Sequence, residues 1–532
     1  MPPIKPLIVV MLAIGLIFWP LRKHLYDLIP ARDFAEMAKL VAMGTLAAFL
    51  APGFWVYIVA LVVLIRKATE RLPPHESRPA WRVTLWFLLL MMTPNIPVVP
   101  PTGVYLMNVD HSRMLTWLLL LPALLEARRQ QQQEALHHPT HKTPIDAMDV
   151  AMHIYFWGMC AILAFMYGPS FTAWLRQVAE WWVDIYLPYW GVRFAFSTHA
   201  QIRRTLAGFC LFSMVLCLVS IPEMTRGWPI YGAIQDWWGE AWGLSIYLMR
   251  DGMLRAQTST GHSLAFGFAM ATATGLWLWL YRFTRQRWVG WLGMVVLLAG
   301  VGTALSRATW LSAGLMMLLF TALSGQVRHI MLALTGSVAV FSVLAAVVPA
   351  FQELINKLPI IGNPEAVAAA AAASPEDDKE YRQAIFEGAL ELIKDNLLFG
   401  LPNAISYLEY LKQGQGIVDI VNSYIGIALN FGMTGLVPFI GMFIIALVKM
   451  WRLRQRLDPG MDGWYLANSM IATLFTIMVM IFSTSSISII PYIYYALLAL
   501  AVNIEKIYSE PEYEPDRDVV IYRPPPFPRY AS

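Results

Sequence analysis

Charge is scarce in this chain. Of its 532 residues only 14% are Asp, Glu, Lys or Arg and 58% are apolar, whereas an ordinary soluble domain carries roughly 25% charged residues. That ratio excludes a plain soluble globule. With 21 Trp, 22 Tyr and 26 Phe, it also excludes a chain that stays solvated and disordered. Cysteine is nearly missing: Cys160, Cys210 and Cys217 all lie inside apolar segments, away from the loops where structural disulfides form, so they say nothing of the redox compartment. No Gly-x-x-x-x-Gly-Lys-Ser/Thr loop occurs, which argues against ATP as a driver. The net charge is +4 and no basic tract is long enough for nucleic acid. Metal spacing is lacking too, since His137, His138 and His141 follow a Gln run and read as a solvated loop.

Long apolar runs are abundant. Several reach the roughly 20 residues that a helix needs to cross a bilayer. Candidate spans lie near 5–20, 38–65, 83–99, 113–125, 150–168, 180–197, 205–222, 263–280, 288–305, 307–324, 329–350, 421–448, 464–483 and 485–503. The stretch 113–125 is short, and 180–197 contains Asp184, Pro188 and Arg193, so twelve to fourteen spans are expected. Lys5 precedes the first run, but Pro20, Leu21 and Arg22 follow it instead of a cleavage site, so it reads as a retained span. The expected fold is an all-α polytopic membrane bundle.

Basic residues in short loops set the orientation. Arg282, Arg285 and Arg287, then Lys449, Arg452, Arg454 and Arg456, mark inside loops, with Arg66, Lys67, Arg71, Arg78, Arg82, Arg128 and Arg129 agreeing. Alternation from these markers puts both termini in the cytoplasm, although Arg22, Lys23, Arg32 and Lys39 then fall outside, against the rule. Two long outside segments result, 223–262 and 351–420. In the second, Ser374-Pro375-Glu376-Asp377 reads as a helix start, predicting a helix over about 375–395. The acidic pair Asp377-Asp378 suits that helix N-terminus without a metal. The Pro-rich tail 504–532 reads as disordered. The domain expectation is an N-terminal bundle over 1–250, a core over 251–450, C-terminal helices over 451–503 and the tail.

Charges at a membrane edge are costly and need a reason. Arg307 sits between two spans at the outer surface, where the positive-inside tendency would not place it; the plain alternative is an Arg reaching outer headgroups. Arg382 aligns at helical spacing with Ile385, Phe386, Ala389, Leu392 and Ile393, so it interrupts an apolar stripe, unless it pairs with Asp378 four residues earlier. Arg255 stands outside as well, shortly before Gly261-His262 at a span start. Guanidinium forks suit phosphate, donating two parallel hydrogen bonds without deprotonating. Three converging at one leaflet would make a site for a phosphorylated lipid. Asp110-His111-Ser112-Arg113 at another outside edge reads as an interfacial cluster or an acceptor-hydroxyl site.

Five segments fall in a recognisable order. They are Ser306-Arg307-Ala308-Thr309-Trp310, the stretch from Tyr381-Arg382 to Leu390, Asn396-Leu397-Leu398-Phe399-Gly400, Asn422-Ser423-Tyr424-Ile425 and Asn430-Phe431-Gly432-Met433-Thr434-Gly435-Leu436. This order, over about 250–450, resembles the O-antigen ligase and O-antigen polymerase superfamily. The resemblance implies a metal-independent, GT-C-like membrane glycosyltransferase without cofactor, acting on a glycan linked through diphosphate to a polyprenyl lipid. It implies that Arg307 and Arg382 hold the departing diphosphate; Ser306, Asn422 and Tyr424 from the same segments, together with Arg255, His262 and Glu387, are the expected substrate-lining residues. Ligases of the family carry His directly before the Asn, but here it is Val421, which cannot accept a proton. Asp419, Glu387 and His262 remain as base candidates. The expected function is therefore polymerisation of exopolysaccharide or O-antigen repeat units at the periplasmic face of a bacterial inner membrane, with a chain-length regulator or flippase as partner. The alternatives are a ligase moving finished glycan onto a lipid A core or protein, and a transporter or flippase of lipid-linked glycans.

Overall fold

A computed structural model describes residues 2–25, 28–71, 77–101, 105–137, 145–166, 170–240, 249–250, 253–325, 376–402, 404–411, 420 and 422–509. The fold is a helical bundle. Its elements are α1 (Ile4–Leu21), α2 (Ala31–Leu50), α3 (Phe54–Glu70), α4 (Arg78–Leu89), α5 (His111–Leu115), α6 (Leu121–His137), α7 (Ala147–Met166), α8 (Phe171–Trp181), α9 (Leu187–Arg193), α10 (His199–Arg226), α11 (Gly232–Trp238), α12 (Ser263–Leu280), α13 (Arg287–Thr303), α14 (Arg307–Leu323), α15 (Glu376–Asp395), α16 (Ser423–Arg456), α17 (Asp462–Phe482) and α18 (Ile490–Ser509). A two-stranded hairpin, β1 (Met249–Arg250) and β2 (Met253–Leu254), precedes α12. Among the described residues seven helices are long and apolar enough to span a membrane, namely α1, α7, α10, α12, α16, α17 and α18, with α13 and α14 as shorter apolar helices. The expected span 329–350 lies outside the described residues.

Local sequence explains the main elements. α10 opens on a capping box, Thr198 with Gln201, and closes on Gly227 at φ 61°, a left-handed turn that suits glycine. Between membrane helices the hydrophobic drive is weak, so small residues and hydrogen bonds set the contacts. Thr84 and Thr205 pair their hydroxyls at 2.7 Å between α4 and α10. A Cβ on Gly300 would lie 2.1 Å from Cys217 Sγ, so α13 and α10 approach at a distance only glycine permits. Of the seven long helices, α12, α10 and α18 are the most enclosed.

The helix ends gather on two faces. On one, Arg285 N donates to His24 O at 3.0 Å, Arg204 meets Asp33, Lys449 bridges Asp146 and Glu505, and Asp462 accepts from Trp279 and Tyr508. The other holds the 51–53 turn, where Trp238 donates to Ala51 O, and the segments at 227–240, 253–262, 303–307 and 484–490.

This arrangement corrects several expectations. The run 38–65 is two antiparallel helices, α2 and α3, turning at Ala51-Pro52-Gly53, with Glu36 and Arg71 meeting at their far ends. One extra crossing reverses everything before it. α1 therefore starts on the face opposite the one where α18 ends, not on the same side, and Arg22, Lys23 and Arg32 join Arg285 on the basic face. The four residues that broke the charge rule were misplaced by a missed turn, because no charge marks Ala51-Pro52-Gly53. Span 83–99 is helical only to Leu89, and residues 93–99 form an extended loop bridged at Val98 and Val109. Residues 504–509 continue α18 and do not belong to the tail, whose remainder lies outside the described residues.

Candidate active site

The turn between α13 and α14 carries Ser306 and Arg307. Leu305 adopts φ 47°, a left-handed conformation that a branched residue holds only under constraint. The constraint comes from the β1–β2 hairpin and the segment that follows it. Arg250 Nη1 donates to Leu305 O at 2.6 Å, Arg255 Nε to Ala304 O at 3.4 Å and Ala256 N to Thr303 O at 3.1 Å. Three consecutive carbonyls are thus held by the hairpin and the two residues after it. Ser306 is buried at the N-cap of α14, while Arg307 begins the helix exposed. Behind them a Cβ on Gly267 would lie 2.7 Å from Thr309 Cγ2, so α12 and α14 start nearly in contact.

The same segment is anchored on its other side by Glu223, which is fully buried near the end of α10. Its Oε2 accepts from Gln257 N at 3.2 Å and Thr258 N at 2.8 Å, and its Oε1 from Ile230 N at 3.0 Å. A buried carboxylate is tolerable when hydrogen bonds to backbone N–H groups surround it. Thr258 is held at φ 45°, and Ser259 Oγ donates to Met91 O. The turn ends at His262, which caps α12 by accepting from Leu264 N at Nδ1, 3.1 Å. That acceptor role puts the proton of the neutral ring on Nε2, so the remaining nitrogen is a donor.

A third turn closes the assembly. Ser488, at φ 52°, donates to Thr260 O at 2.8 Å, and Ser423 Oγ donates to Thr484 O at 2.8 Å. Among the described residues the only non-glycine positive φ values are those of Thr258, Leu305 and Ser488, and all three lie in these turns. Strain of this kind concentrates at working sites. The helices α12, α14 and α16 all begin here, so three N-terminal dipole ends face the same side, where they favour an anion.

α15 is fixed by an interlock of two glycine turns. Met433 N donates to Leu397 O at 2.9 Å, Thr434 N and Oγ1 to Leu398 O at 3.1 and 2.8 Å, and Leu401 N to Leu429 O at 2.7 Å. α16 breaks at Gly432, φ 57° and ψ −153°, to admit this turn. A Cβ there would lie 2.5 Å from Leu398 O, and one on Gly400 would lie 2.5 Å from Gly432 N. The expected helix over 375–395 is present, and Ile385, Ala389 and Ile393 pack on Ala428 and Leu429. Phe386 departs from the expected stripe: it is 46% exposed, one position too far round the helix.

Arg307, Ser306, Arg255 and His262 are thereby brought to one face. Arg382 lies on α15 one turn before Ile385, its side chain outside the described residues; Asp419 and Val421 lie outside them altogether. Asn422 caps α16, accepting from Tyr424 N at 2.9 Å and Ile425 N at 3.2 Å. Tyr424 turns into the bundle, where its hydroxyl donates to Met478 O at 2.9 Å. Glu387 is exposed and accepts from Gln383. Sequence reasoning missed Arg250 and Glu223. Asp251-Gly252 after Arg250 was a hairpin signal, and Glu223 is the one acid within the α10 sequence. The Asp110 cluster forms separately: Arg113 meets Asp184 at 2.7 Å, with Glu180 at 3.8 Å and Asp110 at 3.9 Å. Among the described residues no three His, Cys, Asp or Glu side chains gather as a metal site.

The sequence profile of the family described as O-antigen ligase matches residues 292–440, which run from α13 through Arg307 and α15 to the interlocked turn of α16. A search of curated proteins finds no match. Members of that family transfer glycans. Residues 292–440 of this polytopic helical membrane protein are thus similar to the O-antigen ligase family.

Proposed function

We propose that the chain polymerises oligosaccharide repeat units carried on polyprenyl diphosphate, working on the face that bears Arg307. The supporting observation is the assembly of Arg307, Arg250 and Arg255 around one strained turn, ringed by three helix N-termini. In the reaction an acceptor sugar hydroxyl attacks the anomeric carbon of the donor glycan. The bond to the diphosphate oxygen breaks, and negative charge grows on that oxygen. Arg307 and Arg382 hold the diphosphate as it leaves, which is the point where fixed positive charge lowers the barrier most. His262, with its proton on Nε2, serves as a further donor to the diphosphate better than as the acceptor's base. The hydroxyl proton then goes to Asp419 or Glu387. The basic face is cytoplasmic by the charge rule, so the reaction is periplasmic in a bacterial inner membrane.

Replacing Arg307 and Arg382 separately by Lys tests this reading. Lysine keeps the charge and loses the fork. At matched protein level each variant should lose long polymer, on the order of a hundredfold in transfer rate. Unchanged polymer in both variants sinks the proposal.

The description of the matched family favours a second reading, a ligase that moves finished glycan onto a lipid A core or protein. A strain lacking a polymerase leaves single repeat units on the acceptor; one lacking a ligase leaves none. A transporter or flippase would form no glycosidic linkage when purified and supplied with lipid-diphosphate glycan.

A further inference from the structure

The hairpin of α2 and α3 encloses a groove that the transfer reaction does not use. The groove is about 120 Å³ and opens at the basic face, where its lining includes Glu36, Lys39, Met43, Leu64, Lys67 and Arg71. Three cations stand against one acid there. Arg71 Nη1 lies 3.5 Å from Glu36 Oε1, while Lys39 and Lys67 are exposed and pair with no acid among the described residues.

Each lysine caps an exposed apolar stripe. On α2, Met43 and Leu50 follow Lys39 at helical spacing and are 42% and 45% exposed; on α3, Val63, Val59 and Val56 lead back from Lys67, all exposed. Both stripes run along the outer surface of the hairpin from the basic face toward the 51–53 turn. A cationic rim over two apolar tracks complements a phosphate head with acyl tails. Inorganic phosphate would use the rim and leave the tracks bare. The rim also differs from dispersed inside charge, because its cations converge on one concavity.

The geometry points to a binding site for an anionic phospholipid of the leaflet at the basic face. Its phosphate sits between Lys39, Lys67 and Arg71, and its acyl chains lie along the Met43 and Val63 stripes. The site is remote from Arg307 and stands whether or not the transfer reading holds.

Native mass spectrometry of the purified full-length protein in neutral detergent tests it, with phosphatidylglycerol, phosphatidylcholine and inorganic phosphate as separate probes. The wild type should retain phosphatidylglycerol in preference to phosphatidylcholine, and phosphate should not displace it. Lys39→Gln/Lys67→Gln/Arg71→Gln should weaken retention on the order of a hundredfold, with each exposed lysine alone giving about fivefold. Glu36→Gln should tighten it, because the opposing charge is gone. Gel filtration and thermal midpoint establish that each variant is folded. The site is overturned if the triple variant or both single lysine variants retain phosphatidylglycerol like wild type. It is equally overturned if phosphatidylcholine binds as well, or if Glu36→Gln weakens binding.

Discussion

Arg250 donates from Nη1 to the carbonyl of Leu305 at 2.6 Å, so the backbone two residues before Arg307 is held by a side chain 55 positions upstream. The residue that the family profile contains is thus placed by one that the profile does not reach.

Arg250→Met should separate placement from stability. The Leu305 carbonyl loses its charged donor, a change of about 1–3 kcal/mol for a partly buried acceptor. The strained φ of 47° is then free to relax. The expected result is shorter glycan chains at undiminished protein level, with partial recovery in Arg250→Lys, read by chain-length profile and immunoblot together.

Glu223→Gln should act through the fold. An amide nitrogen would face N–H groups of Ile230, Gln257 or Thr258, which all donate to the present carboxylate. Leaving such groups unmatched in a buried site costs roughly 2–3 kcal/mol. A lowered thermal midpoint in detergent checks this, and Glu223→Asp should fall between the two.

Gly432→Ala should undock α15. A methyl there meets the Leu398 backbone at 2.5 Å on a backbone of positive φ, so neither clash nor strain can relax cheaply. A loss of about 3 kcal/mol or more is expected. Gly400→Ala breaks the same contact from the other side, so the double variant should fall short of the sum of the singles. Full additivity would mean the two turns are not one interlock.

Asp110 gives stability a pH dependence. Burial pushes its carboxyl up to about 6 despite Arg113 beside it. A folded-state value above the unfolded one means the folded protein binds the proton more tightly. Stability is therefore fullest below the ordinary carboxylate range and declines as pH rises through about 6. Asp110→Asn keeps the cap on Arg113 N and should flatten the fall in thermal midpoint between about pH 5 and 7.

Much of this was legible in the chain. Helices α1, α7, α10, α12, α16 and α17 carry long apolar runs, which declare themselves because a membrane helix satisfies its own backbone and needs no partner to be recognised. The Arg307 position and the stripe Ile385, Ala389, Ile393 were legible for the same local reason. The α2–α3 turn was not, since Pro52 and Gly53 break a helix without any charge to mark the edge. The stripe also overreached to Phe386, because spacing fixes a face only to about one position.

What the sequence determined by itself is that this is a charge-poor membrane bundle whose few arginines outside the clustered basic loops need a purpose. Local period and composition suffice for that. Only the tertiary structure decided that Arg250 holds the turn before Arg307, and that Glu223, 27 residues from it in sequence and like it in no motif, anchors the neighbouring segment at Gln257 and Thr258. Only it decided that the two glycine turns at 400 and 432 are halves of one contact. The first depends on charged side chains reaching distant backbone groups and the second on hydrogen bonds between distant backbone groups, and no local pattern of side chains announces either.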